Sequence, residues 1–179
     1  CSVCPGPGGD LFEGYHRPGH FAGMLTIVLK LFQRTQPHRA YFGEKDAQQL
    51  WLVRRMALDL DLGIEIIGCE TVREDDGLAM SSRNAFLTQD QRARGGVVCK
   101  AMFATRDLFQ SGVAEVSQLN QLLTHTLQEY PHAQIEYAEV IDDRTFRPAD
   151  QDSPGPWRVV VAVRMGETRL IDNLYLGEA

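Results

Sequence analysis

Cysteine is scarce in this chain, and an excess of positive charge is missing altogether. The four cysteines, Cys1, Cys4, Cys69 and Cys99, make no paired framework, which excludes a disulfide scaffold. Cys1 and Cys4 have the spacing of half a zinc site or a redox pair. No second C-x-x-C follows, however, and Pro5-Gly6-Pro7-Gly8-Gly9 reads as loop, so reduced thiols of a cytoplasmic protein are the simpler account. Eighteen Lys and Arg against 24 Asp and Glu give a net charge of −6, without the basic stripe that a nucleic-acid surface needs. Long apolar runs are also absent. The most apolar stretch, Phe21 to Phe32, is broken by Gly23, Thr26 and Lys30 and is too short to span a bilayer, so neither a membrane span nor a secretory leader is expected. No repeat or low-complexity tract is visible.

What remains is the composition of a soluble globular chain, with 179 residues and 44% hydrophobic content, enough for one good core or two small ones. Cys1 to Asp10 reads as a Pro/Gly loop that loses its order if a preceding strand is missing. A helix follows. Pro18 suits its first turn, Phe21, Met24, Leu25, Val28, Leu31 and Phe32 recur at helical spacing, and Gln36-Pro37 stops it. Ala40 to Phe42 suits a buried strand, a second helix runs from Ala47 to Asp59, and Ile64 to Ile67 gives another strand. This β-α-β order implies a parallel sheet with a right-handed crossover. Trp51 lies off the apolar stripe of its helix and reads as a contact to a partner subunit or another domain.

The pattern changes after Leu87. Thr88-x-x-Gln91 is a capping box that opens a long helix to Gln110, weakened by Gly95-Gly96, and a third helix covers Ala114 to Glu129. Gln134 to Ile141, Trp157 to Arg164 and Arg169 to Leu174 read as antiparallel strands, the last two joined at Gly166. The fold class is therefore α/β, with residues 1–86 as the carboxyl-terminal part of a Rossmann-like domain and a smaller α+β domain over residues 87–179. Asp142-Asp143 and Asp150 with Asp152 lie in turn-rich loops and read as solvated charges.

Two segments carry chemistry. In YFGEKDAQQL (Tyr41 to Leu50) a strand ends at Gly43, which permits a tight turn, and Asp46-x-x-Gln49 starts a helix. Strand, turn and helix start make an anion site, to which Lys45 adds a mobile charge that reaches a phosphate. In DGLAMSSR (Asp76 to Arg83) two hydroxyls, Ser81 and Ser82, precede the planar donor fork of Arg83. No local base activates either serine, so they read as donors to a polyanion. Met80 lies against a base or fills the core. Taken singly, G-E-K-D also reads as a solvated turn and S-S-R as a surface loop.

Together with RPGHFAGMLTIVLKLFQRTQP (Arg17 to Pro37), VREDDGLAMSSRNAFLT (Val72 to Thr88) and RLIDN (Arg169 to Asn173), these segments resemble the pantoate–beta-alanine ligases, or pantothenate synthetases. The resemblance implies an ATP-dependent enzyme that adenylates pantoate, releases pyrophosphate and lets beta-alanine attack the acyl adenylate. It implies that Gly43, Glu44, Lys45 and Asp46 line the ATP site, that Val72 meets the adenine through its backbone, and that Met80, Ser81, Ser82 and Arg83 close over the phosphates. Lys45 and Arg83 would form the cation clamp on the reacting phosphate, and Gln49 falls at the family's pantoate-binding glutamine. Magnesium would bridge phosphates, so no protein metal cage is expected. A homodimer is implied by the family alone.

One family feature has no counterpart in the chain. There is no N-terminal H-x-G-H motif and no glutamine between it and the region present, and His16 and His20 have the wrong spacing to replace it. In its RPGHF context, His20 reads as capping or packing a helix start. The expectation is thus part of an active site, with Asp172-Asn173 near the natural end. A fragment, one piece of a split enzyme and a non-catalytic protein that keeps dimerisation or weak nucleotide binding all remain open. Another adenylyl-transferring enzyme is the remaining alternative, against which Gln49 argues.

Overall fold

The structure, a computed structural model, describes residues 1–131, 133–152 and 155–177. The chain divides into two compact units, Cys1–Glu70 and Thr71–Ala179. The composition change at Leu87 pointed to a boundary at residue 86. The division instead follows Glu70, because Arg73, Glu74 and Asp76 are ion-paired to Asp172 and Arg92 of the second unit.

In the first unit a 3-10 turn at Pro7–Gly9 leads to the short helix α1 (Glu13–His16) and then to α2 (His20–Thr35). Gln36 ends α2 in the left-handed region at φ 46°, and its N–H bonds the Phe32 carbonyl. Strand β1 (Arg39–Gly43), helix α3 (Ala47–Asp59) and strand β2 (Glu65–Cys69) complete the unit. β1 and β2 are parallel, with Arg39 opposite Glu65 and Gly43 opposite Cys69, as the β-α-β order requires. Phe21, Leu25 and Phe32 of α2 pack with Leu52, Val53 and Met56 of α3 over Ala40, Phe42 and Ile66 of the strands and Ile64 just before β2. Each large side chain fully buried there contributes about 1.5–3 kcal/mol. Leu31 departs from the expected stripe. With Ile27, one turn earlier, it is exposed on the outer side of α2. Trp51 also corrects its expectation, because it packs within the first unit, where a Cβ on Gly8 would stand 2.5 Å from its ring.

The second unit holds α4 (Gln89–Arg94), α5 (Val97–Gln110), α6 (Val116–Gln128), β3 (Ala133–Asp142), the two-residue β4 (Arg147–Pro148), β5 (Trp157–Met165) and β6 (Thr168–Gly177). The capping box forms in full: Gln91 N–H bonds Thr88 Oγ1 at 3.3 Å, and Thr88 N–H bonds Gln91 Oε1 at 3.0 Å. The single long helix expected there is two, since the chain turns at Gly95-Gly96. The sheet order is β4-β3-β5-β6, all antiparallel. One sheet face, with Val140, Val159, Val161 and Val163, packs against Met102 of α5 and Leu119, Leu123 and Leu127 of α6.

Asp150 and Asp152 are exposed as expected, but Asp142-Asp143 is not simply solvated. Asp142 is buried and accepts the N–H groups of Arg144 and Thr145 at 2.9 and 3.0 Å, while Asp143 accepts from Arg158 Nε at 2.5 Å. No helix among the described residues is long and apolar enough to cross a membrane.

Candidate functional site

The sequence-derived site residues fall into two groups, one on each unit. In the first unit they gather where β1 ends and α3 begins. Gly43 is extended, and Glu44–Asp46 form a single 3-10 turn that runs directly into Ala47 of α3. A turn at the carboxyl end of a parallel strand that opens a helix presents backbone N–H groups and the positive helix end to its surroundings. A Cβ on Gly43 would meet nothing within 4 Å, so the turn is open on that side. Asp46 stands at the expected helix boundary but makes no side-chain cap; its carboxylate is 3.8 Å from Lys45 Nζ. The Lys45 side chain is only 20% exposed, so its charge is held near the turn and does not sweep through solvent. Glu44 lies over Gly68 of β2, where a Cβ would come within 2.8 Å of Glu44 Oε1 and 3.1 Å of Arg54 Nη2. Gly68 therefore makes room for both side chains. Gln49 is half-buried on the first turn of α3.

His20 begins α2 behind a left-handed Gly19 and makes no cap of its own. Burial pushes its imidazole below the ordinary value and the Arg17 cation adds to this, while Glu13 and Asp46 oppose. His20 thus lies within electrostatic reach of the turn.

In the second unit the candidates sit on one stretch. Residues 72–80 form a tight hairpin in which Met80 N–H bonds Val72 O at 2.9 Å, Arg73 pairs with Ala79, and the Glu74 N–H bonds the Leu78 carbonyl at 2.8 Å. Gly77 closes the turn at φ 86°, with Cys99 so near that a Cβ would lie 2.7 Å from Sγ. Val72 and Met80 are opposed across this hairpin and are 65% and 56% exposed, so Met80 is not core. The Val72 carbonyl is already engaged by Met80. Ser81 then caps a 3-10 turn at Ser82–Phe86, its Oγ accepting the Arg83 N–H at 3.2 Å, which leaves Ser82 and Arg83 exposed at the start of the turn.

Several residues that hold this stretch were not singled out from sequence. Arg73 binds Asp172 at 2.6 and 3.1 Å and the Gly77 carbonyl at 3.0 Å. Burial works against the Arg73 cation, yet the hydrogen bond and charge of Asp172 outweigh it and raise its pKa. Arg92 of α4 bridges Glu74 and Asp76. The Asn84 amide holds Glu74 well below the usual carboxylate range, with Arg92 acting in the same direction; for Asp76 the Arg92 hydrogen bond is the chief cause. Asn84 also donates to the Ala79 carbonyl at 3.1 Å. The signal in the sequence was the pairing of charged residues in VREDD with RLIDN, but nothing local says that the two meet.

The cysteines are all free, Cys99 buried and the other three exposed. Among the described residues, no three or more His, Cys, Asp or Glu side chains gather to hold a metal ion.

A family model described as pantoate-beta-alanine ligase matches residues 2–175. The pantothenate synthetase of Rubrobacter xylanophilus is 44% identical over 94% of this chain, and that of Mycolicibacterium smegmatis 47% identical over 97%. The chain spans 58% and 53% of the length of those two relatives. Among solved structures, pantothenate synthetase from Thermus thermophilus matches with a TM-score of 0.93 and 42% identity, over 99% of this chain and 64% of that one. The pantoate-beta-alanine ligase of Francisella tularensis, solved with beta-gamma ATP and beta-alanine, matches with a TM-score of 0.72 and 30% identity, over 98% of this chain and 58% of that one. On the match over nearly its whole length, the chain belongs to the pantoate-beta-alanine ligase family.

Proposed function

We propose that this chain carries part of the active site of an ATP-dependent ligase that joins pantoate to beta-alanine through a pantoyl adenylate, releasing pyrophosphate and AMP. The observation that carries this reading is the Gly43–Asp46 turn, which ends a parallel strand, opens a helix and holds Lys45 half-buried beside it, in a member of this family. Residues 1–86 supply the nucleotide- and pantoate-binding groups. Lys45 and Arg83 are cations for the phosphate on which negative charge develops, and a fixed cation stabilises that charge more than mobile water does. Gly43, Glu44 and Asp46 line the ATP, with Ser81 and Ser82 as hydroxyl donors to its oxygens, the Val72 backbone as a contact to the adenine and Met80 as apolar surface beside it. The Gln49 amide donates to the pantoate carboxylate or accepts from its hydroxyl. Magnesium enters with ATP, bound mainly by phosphate and water oxygens. A homodimer belongs to the same reading, and light scattering tests it.

Pyrophosphate release by the purified chain, with ATP, magnesium and pantoate, tests the chemistry. The expected result is no release by the chain alone and pantoate-dependent release once the amino-terminal region of a relative is supplied, followed by pantothenate formation when beta-alanine is added. No release, even when the amino-terminal region of a relative is supplied in trans, would leave the non-catalytic reading. Release that ignores pantoate would favour a different adenylyl transferase.

A further inference from the structure

Gln48 neighbours the candidate pantoate residue and has no role in the chemistry described above. It is buried, 4% exposed, on the first turn of α3. Its Oε1 accepts the Glu13 N–H at 3.0 Å, and its Nε2 donates to the carbonyls of Gly8 and Leu11, both at 2.9 Å. Both amide donors and the acceptor are thus spent on the backbone of one loop, Gly8 to Glu13. Phe12 lies between two of these bonds. Its backbone is at φ 47° and ψ −111°, a region that a non-glycine residue occupies only under strain. Such a conformation persists only where the surroundings over-determine it, and the Gln48 amide grips the peptide groups on both sides. The rest of the loop is equally close-set. Gly8 lies against Trp51, one helical turn along α3 from Gln48, and a Cβ on Gly14 would come 1.7 Å from the Gly9 carbonyl oxygen.

Resting on the pantoate reading above, we propose that Gln48 is a positioning residue: it clamps the strained Gly8–Glu13 loop against the first turn of α3, so that Gln49 meets the small hydroxy-carboxylate beside a fixed wall. The loop is then part of the pantoate subsite. Strain at Phe12 is kept because it holds that wall in one place.

The test uses the whole chain with Gln48→Glu, which keeps size and acceptor but turns an oxygen toward two carbonyls, and Gln48→Met, which keeps volume and deletes all three bonds. Calorimetric titration with pantoate and, separately, with ATP is combined with amide exchange of residues 8–14. Both variants should weaken pantoate about tenfold or more, the scale of one or two lost buried hydrogen bonds, and speed exchange of the Glu13 N–H. ATP affinity should stay within about twofold, since the Gln48 amide bonds only the Gly8–Glu13 loop and none of the residues assigned to ATP. Equal weakening of both ligands would reveal a general loss of structure and overturn the proposal, as would faster exchange with pantoate affinity unchanged. If the unmodified chain binds neither ligand, the functional reading itself fails and takes this one with it. If it binds pantoate and both variants do so equally well, only this inference fails.

Discussion

The Arg73 guanidinium grips both carboxylate oxygens of Asp172, at 2.6 and 3.1 Å, across 99 positions of sequence. The Asp172 side chain is 2% exposed and also accepts the Asn173 N–H at 2.8 Å. The next residue continues the network: Asn173 Oδ1 takes a hydrogen bond from Arg158, whose Nε reaches Asp143 at 2.5 Å. The hairpin that carries Val72, Met80 and the S-S-R segment is thereby tied to β6 of the same unit. Removing one member of a buried pair leaves the other charge uncompensated, at a cost of about 3–5 kcal/mol. Asp172→Ala should therefore lower unfolding stability by about 3 kcal/mol in urea titration. The pair Arg73→Met with Asp172→Leu should recover part of that loss; a loss under about 1 kcal/mol would mean that the ion pair is no more than a surface bridge.

Gly77 is needed twice over. Its φ of 86° is unfavourable for any residue with a Cβ, and that Cβ would fall 2.7 Å from Cys99 Sγ on α5. Gly77→Ala should cost about 1–2 kcal/mol from the left-handed backbone and about 1–3 kcal/mol from overpacking. Cys99→Ala in the same chain should restore the second part only. Full rescue would assign the whole effect to the steric contact, and no rescue would assign it to the backbone; thermal melts of the three variants separate these outcomes.

The helices and strands were legible where one face is buried. The stripe of α2, the bounds of α3 and the Thr88 capping box follow from local periodicity and capping chemistry, which depend on neighbours in sequence. What was illegible depends on distant partners. Trp51 looked free for another subunit because nothing within a helical turn shows that the Pro/Gly loop folds back over it. Asp142 and Asp143 looked solvated because their donors, the turn amides and Arg158, become donors to them only once β3 and β5 pair. In the candidate site, G-E-K-D and S-S-R could be picked out by residue type and spacing. The residues that hold them, Gln48, Arg73, Arg92 and Asp172, act over separations that no local pattern encodes.

Two opposed pH effects are expected in the second unit. Burial pushes the Glu139 carboxyl up, against a smaller opposite pull from the Asn120 amide, so its folded form binds a proton that the unfolded chain releases. That group destabilises at neutral pH, and the penalty is relieved as pH falls through its raised value toward 4.5. Glu74 and Asp76 are shifted the other way. Their contribution is complete above 4.5 and 3.8, their ordinary values, and is lost as pH falls below those values toward their depressed folded ones. Melting temperatures measured from pH 7 to 3 should show Glu139→Gln gaining on the native chain at neutral pH, with the gain vanishing near the lower end. Arg92→Ala should flatten the fall below pH 4.5. A parallel shift of either curve at all pH values would dissociate these groups from the titration.

Lys45 and Arg83 make different demands on a phosphate, and that difference separates a true clamp from two surface cations. Lys45 offers a compact charge held at a helix start, whereas Arg83 offers a planar fork at the start of an exposed turn. Charge-assisted hydrogen bonds are worth about 1.5–3 kcal/mol, so Lys45→Ala and Arg83→Ala should each weaken magnesium-ATP binding roughly tenfold to a hundredfold. Arg83→Lys restores the charge without the fork and should recover little if the contact is bidentate. Gln49→Ala should instead weaken pantoate and spare ATP. Calorimetry on the four variants reads all of this directly. If ATP affinity survives both cation deletions, the phosphate assignment is wrong. If Gln49→Ala weakens ATP and leaves pantoate alone, the α3 amide serves the nucleotide and the substrate must be held elsewhere.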